Sequence, residues 1–197
     1  MKIVLASNNQ GKIREFNHLF AELSIELIPQ SQFGIHDVDE TALTFVENAL
    51  IKARHASNMA RLPAIADDSG LVVHALQGEP GIYSARYAGV KATDQDNLTK
   101  LVHRLHSFPA EERTAYYYCA LVFIQTGADP TPLIGEGRWS GLIIDSPRGT
   151  KGFGYDPIFY VPSLQQTAAE LDATVKNQMS HRGMAMQALF AKLKDRV

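Results

Sequence analysis

Ala64-Ile65-Ala66-Asp67-Asp68-Ser69-Gly70-Leu71-Val72-Val73 reads as two short buried strands with a turn between them. Ala64 to Ala66 is apolar and ends on two carboxylates, Ser69-Gly70 is a turn pair, and Leu71 to Val73 resumes the apolar run. Side chains alternate faces along a strand, so Asp67 and Asp68 cannot both enter one core. At least one faces a cleft, a metal or a partner. A charge in an apolar frame is costly unless paired, which suits a divalent cation or a general base. An Asx-turn capping the strand accounts for Asp-Asp-Ser-Gly equally well.

Outward from this stretch the chain reads as mixed α/β. Lys2 to Ala6 and Ile25 to Ile28 are strand-like, the second stopped by Pro29. Between them, Phe16, Leu19, Phe20 and Leu23 give a helix from Lys12 to Leu23 its apolar face. A longer helix, about Ala42 to Ala60, carries the stripe Phe45, Val46, Ala49, Leu50, Ala53, Ala56 and Ala60. Thr93 to His106 is a helix with Thr93 as N-cap. Thr114 to Gln125 and Leu133 to Ile144 are strands, Gly149 to Asp156 is a glycine-rich loop, Ile158 to Val161 is a short strand, and Arg182 to Leu193 is a closing helix. The order favours one central mixed β-sheet flanked by helices.

A chain of 197 residues, 45% hydrophobic and 20% charged, suits one globular domain. A net charge of -2 excludes a globally basic surface for nucleic acid or anionic membrane. No apolar run reaches membrane-spanning length. Ile3 to Ala6 is too short for a signal-peptide core, which points to a cytoplasmic protein. The single cysteine, Cys119, rules out an internal disulfide and a cysteine-cluster metal site. Its apolar strand makes it a core residue rather than a nucleophile.

Several stretches carry candidate chemistry. Ser7-Asn8-Asn9-Gln10-Gly11-Lys12 lies in a strand-to-helix turn, where backbone N–H groups and a lysine can bind phosphate. It lacks the first glycine of a P-loop, and Ile13 stands where a P-loop has Ser or Thr. Ordinary helix capping explains it as well. Thr44, Asn48 and Lys52 share one helix face beside the apolar stripe, so Lys52 can reach a cleft; by spacing alone a solvated face is favoured. Asp37-Val38-Asp39-Glu40 offers hard oxygen donors for magnesium, or merely favourable charge near a helix N-terminus. In Gly152-Phe153-Gly154-Tyr155-Asp156-Pro157, Phe153 can stack on a flat ring and Asp156 can accept from ring N–H groups; an aromatic-anchored hairpin is the alternative. Ser180 is a natural N-cap, and His181 and Arg182 follow as donors although cations there oppose the helix dipole. His103 and His106 have metal-compatible spacing on an ordinary amphipathic helix and read as solvated.

Six motifs, Ser7 to Lys12, Phe45…Asn48-Ala49…Lys52-Ala53, Ala66 to Leu71, Pro80-Gly81-Ile82-Tyr83-Ser84-Ala85-Arg86-Tyr87, Gly152 to Pro157 and Ser180-His181-Arg182-Gly183, occur in an order and spacing that closely resembles the bacterial-type inosine/xanthosine triphosphate pyrophosphatase family, over nearly the whole chain. The resemblance implies an elongated α/β domain over residues 1–197, two lobes with a nucleotide cleft between them, and a homodimer. It implies hydrolysis of ITP, dITP and XTP to monophosphate and pyrophosphate with Mg2+. It assigns Ser7 to Lys12, Lys52 and Lys176 to the triphosphate, Glu40 and Asp68 to magnesium, Asp68 also to general-base catalysis, and Ser69 to a substrate contact. Phe153, Gly154, Tyr155, Asp156, His181 and Arg182 fall to base recognition. The family often has Thr-Gly-Asn where this chain has Ser7-Asn8-Asn9, so Asn8 replaces a glycine. Water attacking the α-phosphorus would release pyrophosphate, whose charge metal and lysines must neutralise. A non-catalytic purine-nucleotide sensor could share the loop and base pocket, but would not need Glu40 and Asp68 together. A nucleic-acid module lacks its basic surface here.

Overall fold

The computed structural model describes residues 1–9, 11–13, 16 and 25–194. The strands are β1 Lys2–Leu5, β2 Glu26–Pro29, β3 Ala64–Val73, β4 Thr114–Ile124, β5 Leu133–Ile143, β6 Phe159–Val161 and β7 Gln166–Thr167. They form one sheet in the order β2-β1-β3-β4-β5-β6-β7. β1 runs parallel to β2 and to β3, whereas β6 is antiparallel to β5 and β7. The sheet is therefore mixed and the fold α/β. The helices are α1 Phe45–Ala60, α2 Asp94–Leu105, α3 Ala173–Met179 and α4 His181–Leu193. Of the helix expected from Lys12 to Leu23, residues 11–13 and 16 are helical; Leu19, Phe20 and Leu23 lie outside the described residues.

The chain divides into two compact units. The first comprises Met1–Asp68, Cys119–Gly137 and Arg182–Val197; the second comprises Ser69–Tyr118 and Arg138–His181. The first unit is three layers deep, and strand alternation decides which residue serves which layer. Ile3, Leu5, Ile65, Cys119, Leu121 and Phe123 pack with Ile13, Phe16 and the α4 residues Met186, Leu189 and Leu193. Val4, Ala6, Ala64, Ala66, Val122 and Ile124 pack with Ala49, Ala53 and Ala56 of α1. Alanine on both sides of that second interface lets helix and sheet approach closely. Each fully buried large side chain, such as Phe16 or Phe123, contributes on the order of 2 kcal/mol through burial. Cys119 lies in this core, and burial pushes its thiol up to about 12, so it is inert.

The expected turn at Ser69-Gly70 is absent. β3 runs unbroken from Ala64 to Val73, with Gly70 buried and Ser69 half-buried. β3 lies between β1 and β4 in the sheet; β1 pairs with it at Ala64 and Ile65, and further along Leu71 N–H donates to Ser84 Oγ at 2.8 Å and Val72 bridges Pro80, so partners distant in sequence hold the strand extended against local turn chemistry. The chain reverses later, where Gln77 and Gly78 take positive φ and Gly78 N–H donates to Val73 O. Pro29 ends β2 from inside rather than outside, as an edge strand permits. Thr44 and Thr93 cap α1 and α2, the latter in a full capping box with Asp96. Helix α3 and strand β7 have no strong periodic signal and were not expected. Ser180, expected as the N-cap of the last helix, directly precedes α4 in extended conformation and is also the C-cap residue of α3, its N–H returning to Lys176 O at 2.8 Å.

Candidate active site

Alternation along β3 carries Asp67 to the layer that holds Ile65 and Asp68 to the layer that holds Ala64 and Ala66. The ion pairs follow that division. Lys12, from the turn after β1, brings Nζ within 2.8 Å of Asp67 Oδ2, and Arg182 of α4 brings Nε within 3.9 Å. On the other face, Lys52 of α1 places Nζ 2.7 Å from Glu40 Oε1 and 3.6 Å from Asp68 Oδ1. All six residues belong to the first unit.

The two neighbouring carboxyls are driven in opposite directions. Burial opposes ionisation of Asp67, but Lys12, then Arg182 and Lys52, outweigh it and hold the carboxyl below the usual range. Burial prevails at Asp68 and pushes it up to about 6; Lys52 pulls it down while Glu40 adds to the rise. Lys52 is itself buried, which alone would lower it. Asp68, Asp67 and Glu40 more than offset that, and its ammonium is held above the ordinary value. Asp67 is thus a fixed anion and Asp68 a carboxyl poised to gain or lose a proton near neutrality.

The turn after β1 is built largely by its own side chains. Ser7 Oγ accepts from Asn9 N–H at 3.2 Å, and Asn9 Oδ1 accepts from the N–H groups of Gly11 and Lys12 at 2.9 and 3.1 Å. The capping chemistry admitted from sequence is therefore present at Asn9. Asn8 Nδ2 donates to Asp37 Oδ1 at 2.9 Å, and Gln10 lies outside the described residues. Asn48 of α1 is fully buried, and its Oδ1 accepts from Ala42 N–H at 3.0 Å. It thereby fixes the segment that presents Glu40. Of the acidic run, Glu40 reaches the lysine; Asp37 binds Asn8 and Gln30 instead.

In the second unit the glycine-rich loop is held from inside. Asp156 is buried; its Oδ2 accepts from Phe153 N–H at 2.9 Å and pairs with Lys176 Nζ at 2.6 Å, and its Oδ1 accepts from Tyr117 OH at 3.3 Å. Gly152 has φ +79°, and a Cβ there would stand 2.0 Å from Asp156 Oδ2, so the loop needs glycine at that position. Phe153 remains 42% exposed, with Lys176 Nζ over its ring at 5.6 Å from the centroid. Tyr155 is buried and donates to Ser84 O at 2.8 Å, while Asp94 Oδ2 accepts from Gly154 N–H at 2.8 Å. His181 is buried and stacks on Tyr117, ring centroids 4.7 Å apart and 13° from parallel.

The sequence places His181 and Arg182 as donors in the first turn of the last helix. Both are buried, Arg182 beside Asp67 in the first unit and His181 on Tyr117 in the second. The Asp67 carboxylate offsets the unfavourable charge of Arg182 at the start of α4. Lys12 and Lys52 gather at the two acids in the first unit, whereas Ser69 and Lys176 belong to the second, Lys176 on Asp156. Tyr117 and Asp94 were not singled out as functional in the sequence, and Asp37 and Asn48 serve to hold other segments rather than to offer donors themselves. Tyr117 is hidden in a Tyr-Tyr-Tyr run, where strand alternation alone selects the middle residue as buried.

Glu40 and Asp68 fit a divalent cation. They are hard oxygen donors converging on one cationic nitrogen, and burial leaves Asp68 short of the positive charge it needs to ionise fully. Among the described residues no three His, Cys, Asp or Glu side chains gather into a metal cage. A two-carboxylate set is what a Mg2+ ion completed by phosphate oxygens and water requires.

A mixed α/β sheet that sets lysines against carboxylates on both faces of one strand is suited to phosphate-ester chemistry, where such charges neutralise phosphate oxygens. Residues 3–192 match the Ham1 family model, and the chain belongs to the Ham1 family. It is 53% identical over 194 residues to a Yersinia pseudotuberculosis protein named dITP/XTP pyrophosphatase, covering 98% of each. A Burkholderia pseudomallei protein of the same name is 55% identical over 195 residues, 98% of this chain and 93% of that one. The structure of a HAM1 protein from Coxiella burnetii superposes with a TM-score of 0.93 at 49% identity, covering 99% of both chains.

Proposed function

We propose that this chain is a nucleoside triphosphate pyrophosphohydrolase that hydrolyses ITP, dITP and XTP to the monophosphate and pyrophosphate, and so cleanses the nucleotide pool. The observation that carries the chemistry is the Asp68–Lys52–Glu40 group, a buried carboxyl raised to about 6 beside a lysine and a second acid. Near-complete, high-identity similarity to proteins of that activity supports the same reading.

The reaction requires a water aligned with the α-phosphorus and neutralisation of the leaving pyrophosphate. Asp68 is basic enough to take a proton from that water and still largely ionised above neutrality. Lys12 and Lys52 supply fixed positive charge to the triphosphate. Asp67 keeps the Lys12 ammonium in place and is not itself a base, since its carboxyl is held strongly ionised. Mg2+, held by Glu40 and Asp68, would supply charge neutralisation at the phosphate oxygens. Ser7 to Lys12 wraps the phosphates, with Ser69 and Lys176 contributing further contacts. Phe153 stacks on the base while Gly154, Tyr155 and Asp156 shape the loop behind it. His181 and Arg182 donate to the 6-keto oxygen of hypoxanthine or xanthine; adenine offers an amino group there and leaves those donors unpaired.

The working enzyme is a cytoplasmic homodimer of one-domain chains, and neither nucleic acid nor membrane is a partner. No helix among the described residues is long and apolar enough to cross a membrane. The test is pyrophosphate release by purified protein from ITP, dITP, XTP, GTP and ATP, with Mg2+ and with chelator. Release from ITP, dITP and XTP that requires the metal and greatly exceeds that from ATP is expected. Tight ITP binding with no pyrophosphate release would favour a non-catalytic sensor.

A further inference from the structure

Asp37 is an acid set beside a loop that handles polyanions, where its charge alone would be unhelpful. Its Oδ1 nevertheless accepts two hydrogen bonds, from Asn8 Nδ2 at 2.9 Å and from Gln30 Nε2 at 2.6 Å. Gln30 is 3% exposed, and its carbonyl accepts from Ile35 N–H, so it is anchored in the body of the first unit. Asn8 is exposed and lies within the turn after β1, one residue before the Asn9 that caps the following helix. Ser7 and Asn9 organise the turn from within, whereas Asn8 ties it to a separate segment of chain. A glycine at position 8 would offer no side chain for that bond.

We propose that Asp37 is a positioning residue for the triphosphate: through Asn8 it latches the Ser7–Lys12 turn to buried Gln30 and holds the turn in its binding form. The inference rests on the phosphate-binding role given to that turn. Preorganisation and bare electrostatics predict opposite signs. Removing a carboxylate near a polyanion site strengthens binding by Coulomb's law. Removing a latch weakens it, because the ligand must then order the turn itself.

The experiment measures ITP and inosine affinity in chelator, where hydrolysis does not proceed, for wild type, Asn8→Ala, Asp37→Ala, the double variant and Asp37→Asn. Loss of one such hydrogen bond corresponds to about a fivefold change. Asn8→Ala and Asp37→Ala should each weaken ITP by about fivefold, the double variant no more than the larger single change. Inosine affinity should stay constant, and Asp37→Asn, which keeps an acceptor oxygen, should bind ITP at least as well as wild type. If Asp37→Ala does not fold, Asn8→Ala and Asp37→Asn decide the matter. Unchanged or tighter ITP binding by Asp37→Ala, additive losses, or equal losses for inosine would overturn the latch while leaving the enzyme reading intact. A wild-type protein that binds ITP no better than inosine would remove the phosphate role of the turn, and the latch with it.

Discussion

Replacing Asp68 with Asn should make the protein both inactive and more stable. Burial raises the Asp68 carboxyl from 3.8 to about 6, so the unfolded chain releases this proton more readily than the folded one. For a folded value above the unfolded one, stability is complete below pH 3.8 and is lost as pH rises through about 6. Two pH units at about 1.4 kcal/mol each give a cost of about 3 kcal/mol at pH 7.5. Asn keeps the shape without the charge, so Asp68→Asn should recover about 3 kcal/mol there, equivalent to a rise of roughly 6–12 °C in Tm for a chain of this size. The gain should shrink steadily below pH 6 and vanish near pH 4. Asp67 acts with the opposite sign: its folded carboxyl lies below the usual range, so its stabilisation is present above about pH 4 and fades in stronger acid. The assay is urea unfolding of both proteins in chelator between pH 4 and 8, paired with steady-state ITP hydrolysis in Mg2+. No gain at pH 7.5, or the same gain at pH 4, would refute the claim that a buried charge is what Asp68 costs the fold. Retained turnover would remove Asp68 from the chemistry.

Lys52→Ala removes the cation that Glu40 and Asp68 share, and ITP affinity measured by calorimetry should fall roughly ten- to a hundredfold while inosine binding is unchanged; equal losses would place Lys52 in folding or base binding. Gly152→Ala drives a Cβ against Asp156 at a positive φ. It should cost about 1–3 kcal/mol in denaturant unfolding and raise KM for ITP, since the loop carrying Phe153 is displaced. Arg182→Ala should reduce the ITP-over-ATP ratio of kcat/KM by roughly a hundredfold or more, because a donor that penalises an amino group is gone; an unchanged ratio across a substrate panel would show that Arg182 serves Asp67 and not the base.

The sequence by itself determined the elements that repeat. The long apolar run around Cys119 located β4, the i, i+3, i+4 stripes located α1 and α2, and Thr93 fixed the start of α2 because a capping box is local chemistry. The order of six motifs named the family. Adjacency of Asp67 and Asp68 in a strand already required opposite faces, and the ion pairs with Lys12 and Lys52 obey that rule. Tertiary structure alone decided the rest. Ser69-Gly70 reads as a turn in isolation, yet it lies inside a ten-residue strand beside β4, with Leu71 N–H held by Ser84, an influence no local window contains. The different characters of the two aspartates come from residues distant in sequence: Lys12 and Arg182 reach Asp67 across the chain, whereas at Asp68 burial outweighs the pull of Lys52 and Lys12. Charge identity is written in the residue, but the free energy of ionising it depends on solvent exclusion and on which charges the fold brings near.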